Sequence, residues 1–293
     1  MTEKKEVQYL HEVVNGVVFP TFIDQEKYDN ACSLVPLQKD DIIISTYPKS
    51  GTTWTQKIVR LIVHGPIPEG WKLSDVVPWH EAEATFMDTS KLVAPRIFKS
   101  HLDWPMTYKP AGIPMKYIYV ARNGKDVAVS MFYHSRGWKS FEYDGDWDHW
   151  FGIYSKGEVE FGLWLDHVKG WWEARERDDV LFLFYEDMLR EPAAAVKQIG
   201  DFLGVTLSPE RVEEIVKDTS FAVMKKDPQS NYTINKSEHR KDGAQNFMRK
   251  GEIGDWKTHF SREQSAQFDA AYAKFKEECP GISFYFGDDV QAD

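Results

Sequence analysis

Four short, almost continuously apolar runs recur along the chain, and stretches with helical periodicity separate them. Runs of this kind are typical of strands that are buried on both faces, as in parallel sheets. They predict strands over Asp41–Thr46, Arg96–Ser100, Lys116–Ala121 and Val180–Tyr185. Strands that alternate with helices predict an α/β fold, with three layers around a central parallel sheet.

The intervening segments place apolar residues on one face at helical spacing. They predict helices over Thr52–His64, Lys125–Tyr133, Glu158–Arg177 and Ala193–Leu203. Another helix should begin after Ser208, a capping residue that precedes Pro209 at the first helical position. No shift in pattern marks a domain boundary. We therefore expect one domain over residues 1–293, with a core at about 38–285 and short flexible tails.

The segment Tyr47–Trp54 leads from the first predicted strand into the first turn of the first predicted helix. Ligands bind at the carboxyl ends of parallel strands, and the first amides of a helix are unpaired donors that favour an anion. Lys49 adds a charge, and further donors come from the hydroxyls of Ser50, Thr52 and Thr53. The segment therefore predicts a site for a phosphate-like anion. A helix N-cap beside a lysine, without a ligand, is also consistent with this sequence. The segment is not a Walker A loop, because Lys49 precedes Gly51.

Lys99 and His101 follow the second predicted strand, at the end where a ligand should lie. Alternation along an extended chain puts these two side chains on the same side. Histidine is the natural general base near neutral pH. The pair is therefore a candidate catalytic element.

Two further basic elements suit an anion. Arg122 leaves the third strand just before a predicted helix that carries Ser130, and the planar fork of arginine suits phosphate. Arg249 and Lys250 precede Gly251, and a glycine lets the backbone approach a ligand closely. The alternative interpretation of the first element is a surface arginine followed by a helical serine. The alternative interpretation of the second element is a charged turn.

Composition narrows the class of protein. The chain has 293 residues, 42% of them apolar, and a formal net charge of −10, which argues against general nucleic-acid binding. Cys32 and Cys279 are the only cysteines and are too far apart in sequence to suggest a disulfide framework. The sequence shows neither a signal segment nor an apolar run long enough to span a membrane. We expect a soluble, reduced, cytoplasmic protein that has no membrane or nucleic-acid partner.

The octapeptide Tyr47–Trp54 resembles the phosphosulfate-binding loop of the cytosolic sulfotransferases, and the other motifs follow in that family's order from residue 41 to 256. The resemblance implies transfer of a sulfuryl group from 3′-phosphoadenosine 5′-phosphosulfate (PAPS) to a small-molecule acceptor, leaving 3′-phosphoadenosine 5′-phosphate (PAP), without a metal. It implies His101 as the base and, as further catalytic residues, Lys49, Lys99 and Ser130. It implies that the donor is bound by Lys49, Ser50, Gly51, Thr52, Thr53, Trp54, Arg122, Ser130, Tyr185, Thr219, Phe221, Met224, Phe247, Met248, Arg249, Lys250 and Gly251.

The acceptor side is less defined. Aromatic residues that suit an apolar pocket are Phe22, Trp79, Phe86, Trp104, Phe132, Tyr133 and Tyr232. The polar stretch from Glu238 to Lys250, which overlaps the segment 233–248, is either a solvated loop or a lid over the site. The family's short dimer motif is altered here by Ser261, Arg262 and Ala266, so dimerisation by that route is not expected.

Three other functions fit parts of the pattern. A P-loop phosphotransferase would need Mg²⁺ and a Walker A lysine. A non-catalytic PAP-binding protein would need neither Lys49 nor His101. A sulfotransferase-like dehydratase would eliminate the sulfated product, which only product analysis reveals. The sequence leaves open whether the acceptor is a phenol, an alcohol, a sterol, an amine or a polar metabolite.

Overall fold

A parallel sheet forms the centre of the computed structural model, which describes residues 7–82, 86–231 and 239–287. A hairpin of β1 (Glu12–Val14) and β2 (Val17–Phe19) precedes it. Its strands are β3 (Ile42–Thr46), β4 (Ile97–Ser100), β5 (Lys116–Ala121) and β6 (Val180–Phe184). They lie in the order β4-β3-β5-β6, and every neighbouring pair is parallel. Each predicted strand is confirmed to within one residue at each end.

Both faces of the sheet are covered, which explains the continuous apolar runs. Ile43, Phe98 and Tyr119 belong to one buried cluster, and Ile42, Ile44 and other alternate residues belong to a second. Side chains alternate between the two faces of a strand, so each run supplies both clusters. The α/β architecture with a central parallel sheet is confirmed.

Helices lie on both sides of the sheet. They are α1 (Gln25–Leu34), α2 (Thr52–Val63), α3 (Leu73–Val76), α4 (Gly124–Gly137), α5 (Trp147–Tyr154), α6 (Trp164–Ala174), α7 (Tyr185–Arg190), α8 (Pro192–Leu203), α9 (Pro209–Asp218), α10 (Phe221–Lys226) and α11 (Arg262–Glu278), with 3-10 turns at Thr89–Lys91, Lys139–Phe141 and Asp255–Thr258. Ser208 caps α9 as predicted, and its hydroxyl accepts a hydrogen bond from the amide of Arg211. Of the helices in the described ranges, none combines the length and apolar character that crossing a membrane requires.

The predicted helix Glu158–Arg177 is wrong from Glu158 to Leu163, because α6 begins only at Trp164. Phe161 and Gly162 have φ values of 65° and 72°, which no α-helix accommodates. The amide of Phe161 instead donates to the carbonyl oxygen of Val18, at 2.7 Å. This contact with the N-terminal hairpin overrides the local helical preference.

Candidate active site

A cavity of about 590 Å³ opens at the carboxyl ends of the strands. The segments that follow β3, β4, β5 and β6 all contribute to its wall, through Lys49, His101, Arg122 and Tyr185. The other predicted residues that line it are Gly51, Thr52, Thr53, Trp54, Lys99, Ser130, Thr219, Phe221, Met224, Phe247, Met248, Arg249, Lys250 and Gly251, together with Phe22, Trp79 and Phe86 from the predicted acceptor pocket. The fold thus brings motifs that are distant in sequence to one place.

The loop between β3 and α2 has the geometry of an anion cradle. Lys49 and Gly51 have φ values of 69° and 97°, so the chain turns sharply before the first helical amides. No side chain caps the start of α2, which leaves these donors for a ligand. A methyl group on Gly51 would lie 2.8 Å from Cδ2 of Tyr185, so only glycine fits there. The hydroxyl of Ser50 is buried and is not part of the cavity wall.

His101 is held in one tautomer. Its Nδ1 lies 2.8 Å from the carbonyl oxygen of Thr46, which only accepts, so Nδ1 carries the hydrogen. Its Nε2 therefore has a lone pair. His101 lines the cavity, and no residue in the described ranges forms a hydrogen bond with this Nε2. Burial and the charge of Lys99 lower the pKa of His101 to about 3, so the ring is neutral. A neutral imidazole with an open Nε2 is arranged to accept a proton.

Buried groups fix the backbone of His101. The carboxylate of Glu81 accepts from the His101 amide at 2.7 Å and from the Ser100 hydroxyl at 3.2 Å. The imidazole of His167 donates from Nε2 to the His101 carbonyl oxygen at 2.9 Å, and accepts from the hydroxyl of Tyr119 at Nδ1. Sequence analysis missed this support, because Glu81 and His167 stand in no recognisable motif.

Positive charge is concentrated in the cavity although the chain as a whole is acidic. Burial, followed by the charges of Arg240, Arg122 and Lys99, lowers the pKa of Lys49 to about 7. The ammonium of Lys49 lies 4.0 Å from the centre of the Phe247 ring, and that of Lys99 lies 4.6 Å from the Trp79 ring. Mutual repulsion among these cations favours an anionic ligand between them.

Arg122 joins the two anion-binding loops. Its guanidinium donates to the carbonyl oxygens of Lys49 at 3.2 Å and Glu252 at 3.1 Å, and lies 4.6 Å from the centre of the Tyr185 ring. Asn123 caps α4, because its side-chain oxygen accepts a hydrogen bond from the Asp126 amide. Arg122 is therefore fixed at the start of α4, one face of which carries Ser130 into the cavity.

The segment Arg249–Gly251 is anchored from two sides. Both Arg249 and Lys250 donate to the carboxylate of Asp255. The carboxylate of Asp126 accepts from the amides of Gly254 at 2.8 Å and Trp256 at 3.0 Å, which ties the segment to α4. Three buried donors at the cavity, Arg122 Nε, Arg249 Nε and Trp54 Nε1, have no partner among the described residues, as expected for a site that binds an anionic ligand.

Flat apolar surfaces line the end of the cavity near α2 and α10. The rings of Trp54 and Tyr185 meet edge to face at 5.6 Å, and Phe221 packs against Gly251. Met224 is buried beside them, and the hydroxyl of Thr219 donates to the Ile215 carbonyl oxygen. This arrangement suits a planar heterocycle.

Only some residues of the predicted acceptor pocket line the cavity. Phe22 and Trp79 meet edge to face at 5.6 Å, and Phe86 is 75% exposed at the mouth. Phe132 instead packs on Trp147 and Trp150 in the core, and Trp104 packs on Trp171 and Tyr117. Tyr133 lines a small neighbouring recess, where its hydroxyl meets His259, and Tyr232 lies outside the described residues.

Two cavity residues on α4 and just after it were missed, His134 and Trp138. The predicted helix stopped at Tyr133, whereas α4 continues to Gly137. His134 therefore stands one turn after Ser130 on the same face, a relationship that a longer helix prediction would have revealed. The lid prediction falls partly on residues 233–238, which lie outside the described part of the chain. In the described part of the predicted lid, Arg240 forms an isolated antiparallel β-bridge with Trp138.

Comparison with known proteins identifies the class. The family model described as Sulfotransferase domain matches residues 39–279. The chain is 39% identical to mouse sulfotransferase 1B1, over 86% of this chain and 87% of that one. It is 41% identical to dog sulfotransferase 1A1, over 84% of this chain and 86% of that one. The chain belongs to the sulfotransferase family and is a sulfotransferase enzyme.

Solved structures share the fold. A mouse sulfotransferase, SULT7A1, complexed with PAP aligns with a TM-score of 0.74 and 28% identity, over 90% of this chain and 93% of that one. A retinol dehydratase in complex with androsterone and the inactive cofactor PAP aligns with a TM-score of 0.78, over 88% of both chains. At 22% identity, the second likeness shows the fold alone.

Proposed function

We propose that this enzyme transfers a sulfuryl group from PAPS to a hydroxyl group, or an amine, of a small-molecule acceptor, with His101 as general base. The observation that carries the proposal is the open Nε2 of His101 in a cavity that also contains the ammonium groups of Lys49 and Lys99. The mouse SULT7A1 structure is complexed with PAP, and this supports PAPS as the donor here.

The residues present fit such a donor. The amides at the start of α2, with Lys49, Thr52 and Thr53, suit the phosphosulfate end. Arg122, Ser130 and the segment Arg249–Gly251, beside Phe247 and Met248, suit the 3′-phosphate, and the unpartnered guanidinium nitrogens support this. Five residues suit the purine, namely Trp54, Tyr185, Thr219, Phe221 and Met224.

The protein's own residues then act on the acceptor. His101 Nε2 takes the proton of the acceptor hydroxyl, while its Nδ1–H remains on the Thr46 carbonyl. Lys49 and Lys99 stabilise negative charge as it develops between acceptor and leaving group. Burial lowers the pKa of His101, and the charge of Lys99 lowers it further. An anionic donor between the cations offsets the contribution of Lys99, so the base becomes stronger when the site is filled. PAPS supplies the sulfuryl group.

The direct test is transfer from [³⁵S]PAPS to a panel of phenols, alcohols, sterols, amines and polar metabolites, with mass analysis of each product. We expect a sulfated product and PAP, with activity unchanged by EDTA and not supported by ATP with Mg²⁺. PAP binding without transfer to any acceptor class would contradict the proposal and favour a non-catalytic role. A product that has lost the elements of water would indicate a dehydratase.

A further inference from the structure

The acceptor end of the cavity has a largely apolar wall, which also contains a neutral polar side chain other than His101. Phe22, Trp79, Ala82, Phe86, Trp138 and Phe247 supply apolar surface. His134 lies among them, and it also lines the small recess that contains Lys49 and Arg240. A polar group in such a wall is expected to set the orientation and identity of the ligand.

The tautomer of His134 is fixed by Trp138. The indole Nε1–H of Trp138 donates to Nδ1 of His134 at 3.1 Å, and an indole nitrogen only donates. Nδ1 is therefore the accepting nitrogen, and Nε2 carries the hydrogen. Among the described residues, Nε2 has no hydrogen-bond partner, and it is not among the polar atoms buried from solvent. His134 thus presents an N–H donor to the cavity.

Arg240 holds this pair in place. It is 5% exposed, it pairs with Trp138 in a short antiparallel bridge, and its guanidinium lies 5.5 Å from the centre of the Trp138 ring. The same guanidinium donates to the carbonyl oxygen of Gln245. Burial and then the charges of Lys49 and Arg240 lower the pKa of His134 well below its usual value. The ring is neutral, so it neither binds as a cation nor competes with His101 for the acceptor's proton.

We propose that His134 is a specificity-determining residue of the acceptor site, which donates a hydrogen bond from Nε2 to a second oxygen of the acceptor. The preferred acceptors are then apolar hydroxy compounds that also carry a carbonyl or similar oxygen. This inference rests on the proposed function. An acceptor without such an oxygen leaves the His134 donor unpaired when it displaces water, which costs binding free energy.

The test compares two phenols that differ in one oxygen, 4-(4-hydroxyphenyl)butan-2-one and 4-butylphenol. Two methylene groups separate the ketone from the ring, so the acidity of the phenol is the same in both. The readout is the ratio of the two kcat/KM values with PAPS. We expect the wild-type enzyme to favour the ketone about tenfold.

His134→Phe keeps an aromatic ring without the donor, and should bring the ratio to about one. His134→Gln keeps an N–H donor and should restore part of the preference. Trp138→Phe removes the group that fixes the tautomer and should give an intermediate ratio. His149→Phe is the matched control, since His149 is exposed on α5 and does not line the cavity. It should leave the ratio unchanged.

A wild-type ratio near or below one would overturn the inference without any variant, and so would an unchanged preference for the ketone in His134→Phe. If neither phenol is sulfated although PAPS binds, the proposed function is challenged first. The inference is then tested by measuring, by calorimetry, the affinity of the two phenols for the protein–PAP complex. Tighter binding of the ketone by the wild type, lost in His134→Phe, would support it. Equal binding of the two phenols would contradict it.

Discussion

The Nδ1 atom of His101 lies 2.8 Å from the carbonyl oxygen of Thr46, so the last residue of β3 fixes the tautomer of the histidine that follows β4. The two strands are parallel neighbours, and their carboxyl ends therefore lie side by side. The accepting group is backbone, so no substitution of Thr46 removes it. The open Nε2 of His101 is thus a consequence of the sheet itself.

Replacing His101 by alanine should abolish the proton acceptor without disturbing donor binding. We expect kcat with any accepted substrate to fall by about 10²–10⁴-fold, because general base catalysis contributes that much. PAP affinity, measured by calorimetry, should change little. His11→Ala is the control, since His11 is exposed and does not line the cavity. Turnover near the wild-type rate in His101→Ala would show that another group is the base.

Gly251→Ala should weaken PAP binding. Gly251 has a φ of 71°, and a methyl group there would lie 2.3 Å from Cδ2 of Phe221, so either the ring or the Arg249–Lys250 backbone must move. We expect about tenfold lower PAP affinity from overpacking of this kind. Gly204→Ala is a matched control, with a φ of 75° and open space around the position. The positive φ should cost each variant about 1 kcal/mol of stability, and overpacking adds to that loss in Gly251→Ala. Equal PAP affinities of the two variants would show that the contact with Phe221 does not matter for binding.

PAP affinity should fall as pH rises from 7 to 9. Burial and neighbouring cations lower the pKa of Lys49 to about 7, and an anion binds its protonated form. Above that pKa, binding must take up a proton, so affinity falls by up to about tenfold per pH unit. The ligand's phosphates are already ionised in this range. Lys49→Met should bind PAP more weakly with a flatter pH profile, whereas an unchanged profile would assign the titration to another group.

The sheet was predictable because its strands are buried on both faces, which leaves continuous apolar runs such as Ile42–Thr46. The error at Glu158–Leu163 has a physical cause. The amide of Phe161 pairs with Val18, more than a hundred residues earlier in the chain, and no local pattern encodes that contact. Gly157, just before this segment, and Gly162, within it, were the local signals against a helix.

The anion site was more predictable than the acceptor site. Its residues form short motifs at loop and helix starts, where chemistry and position coincide, as in Tyr47–Trp54. The acceptor side depends on which aromatic rings turn towards the cavity and which turn into the core. Phe132 and His134 are two residues apart on α4, yet the first packs on Trp150 and the second lines the cavity. Composition does not distinguish them.

Glu160→Gln should stabilise the protein at high pH. Glu160 is buried, accepts a hydrogen bond from the Tyr9 hydroxyl, and burial raises its pKa to about 7. An acid whose folded-state pKa is raised contributes stability that is complete below its unfolded pKa, near 4.5, and is lost as pH rises through about 7. Glutamine does not ionise, so the variant should gain up to about 3 kcal/mol over wild type between pH 5 and 8.

The measurement is urea unfolding of the wild type and the variant at pH 5, 6, 7 and 8, with the difference in unfolding free energy plotted against pH. The exposed Glu158→Gln is the matched control, since surface substitutions usually change stability by less than about 0.5 kcal/mol. If the difference between Glu160→Gln and wild type is constant from pH 5 to 8, Glu160 is ionised in the fold throughout. Its buried charge would then be compensated by Tyr9 and the nearby Lys49.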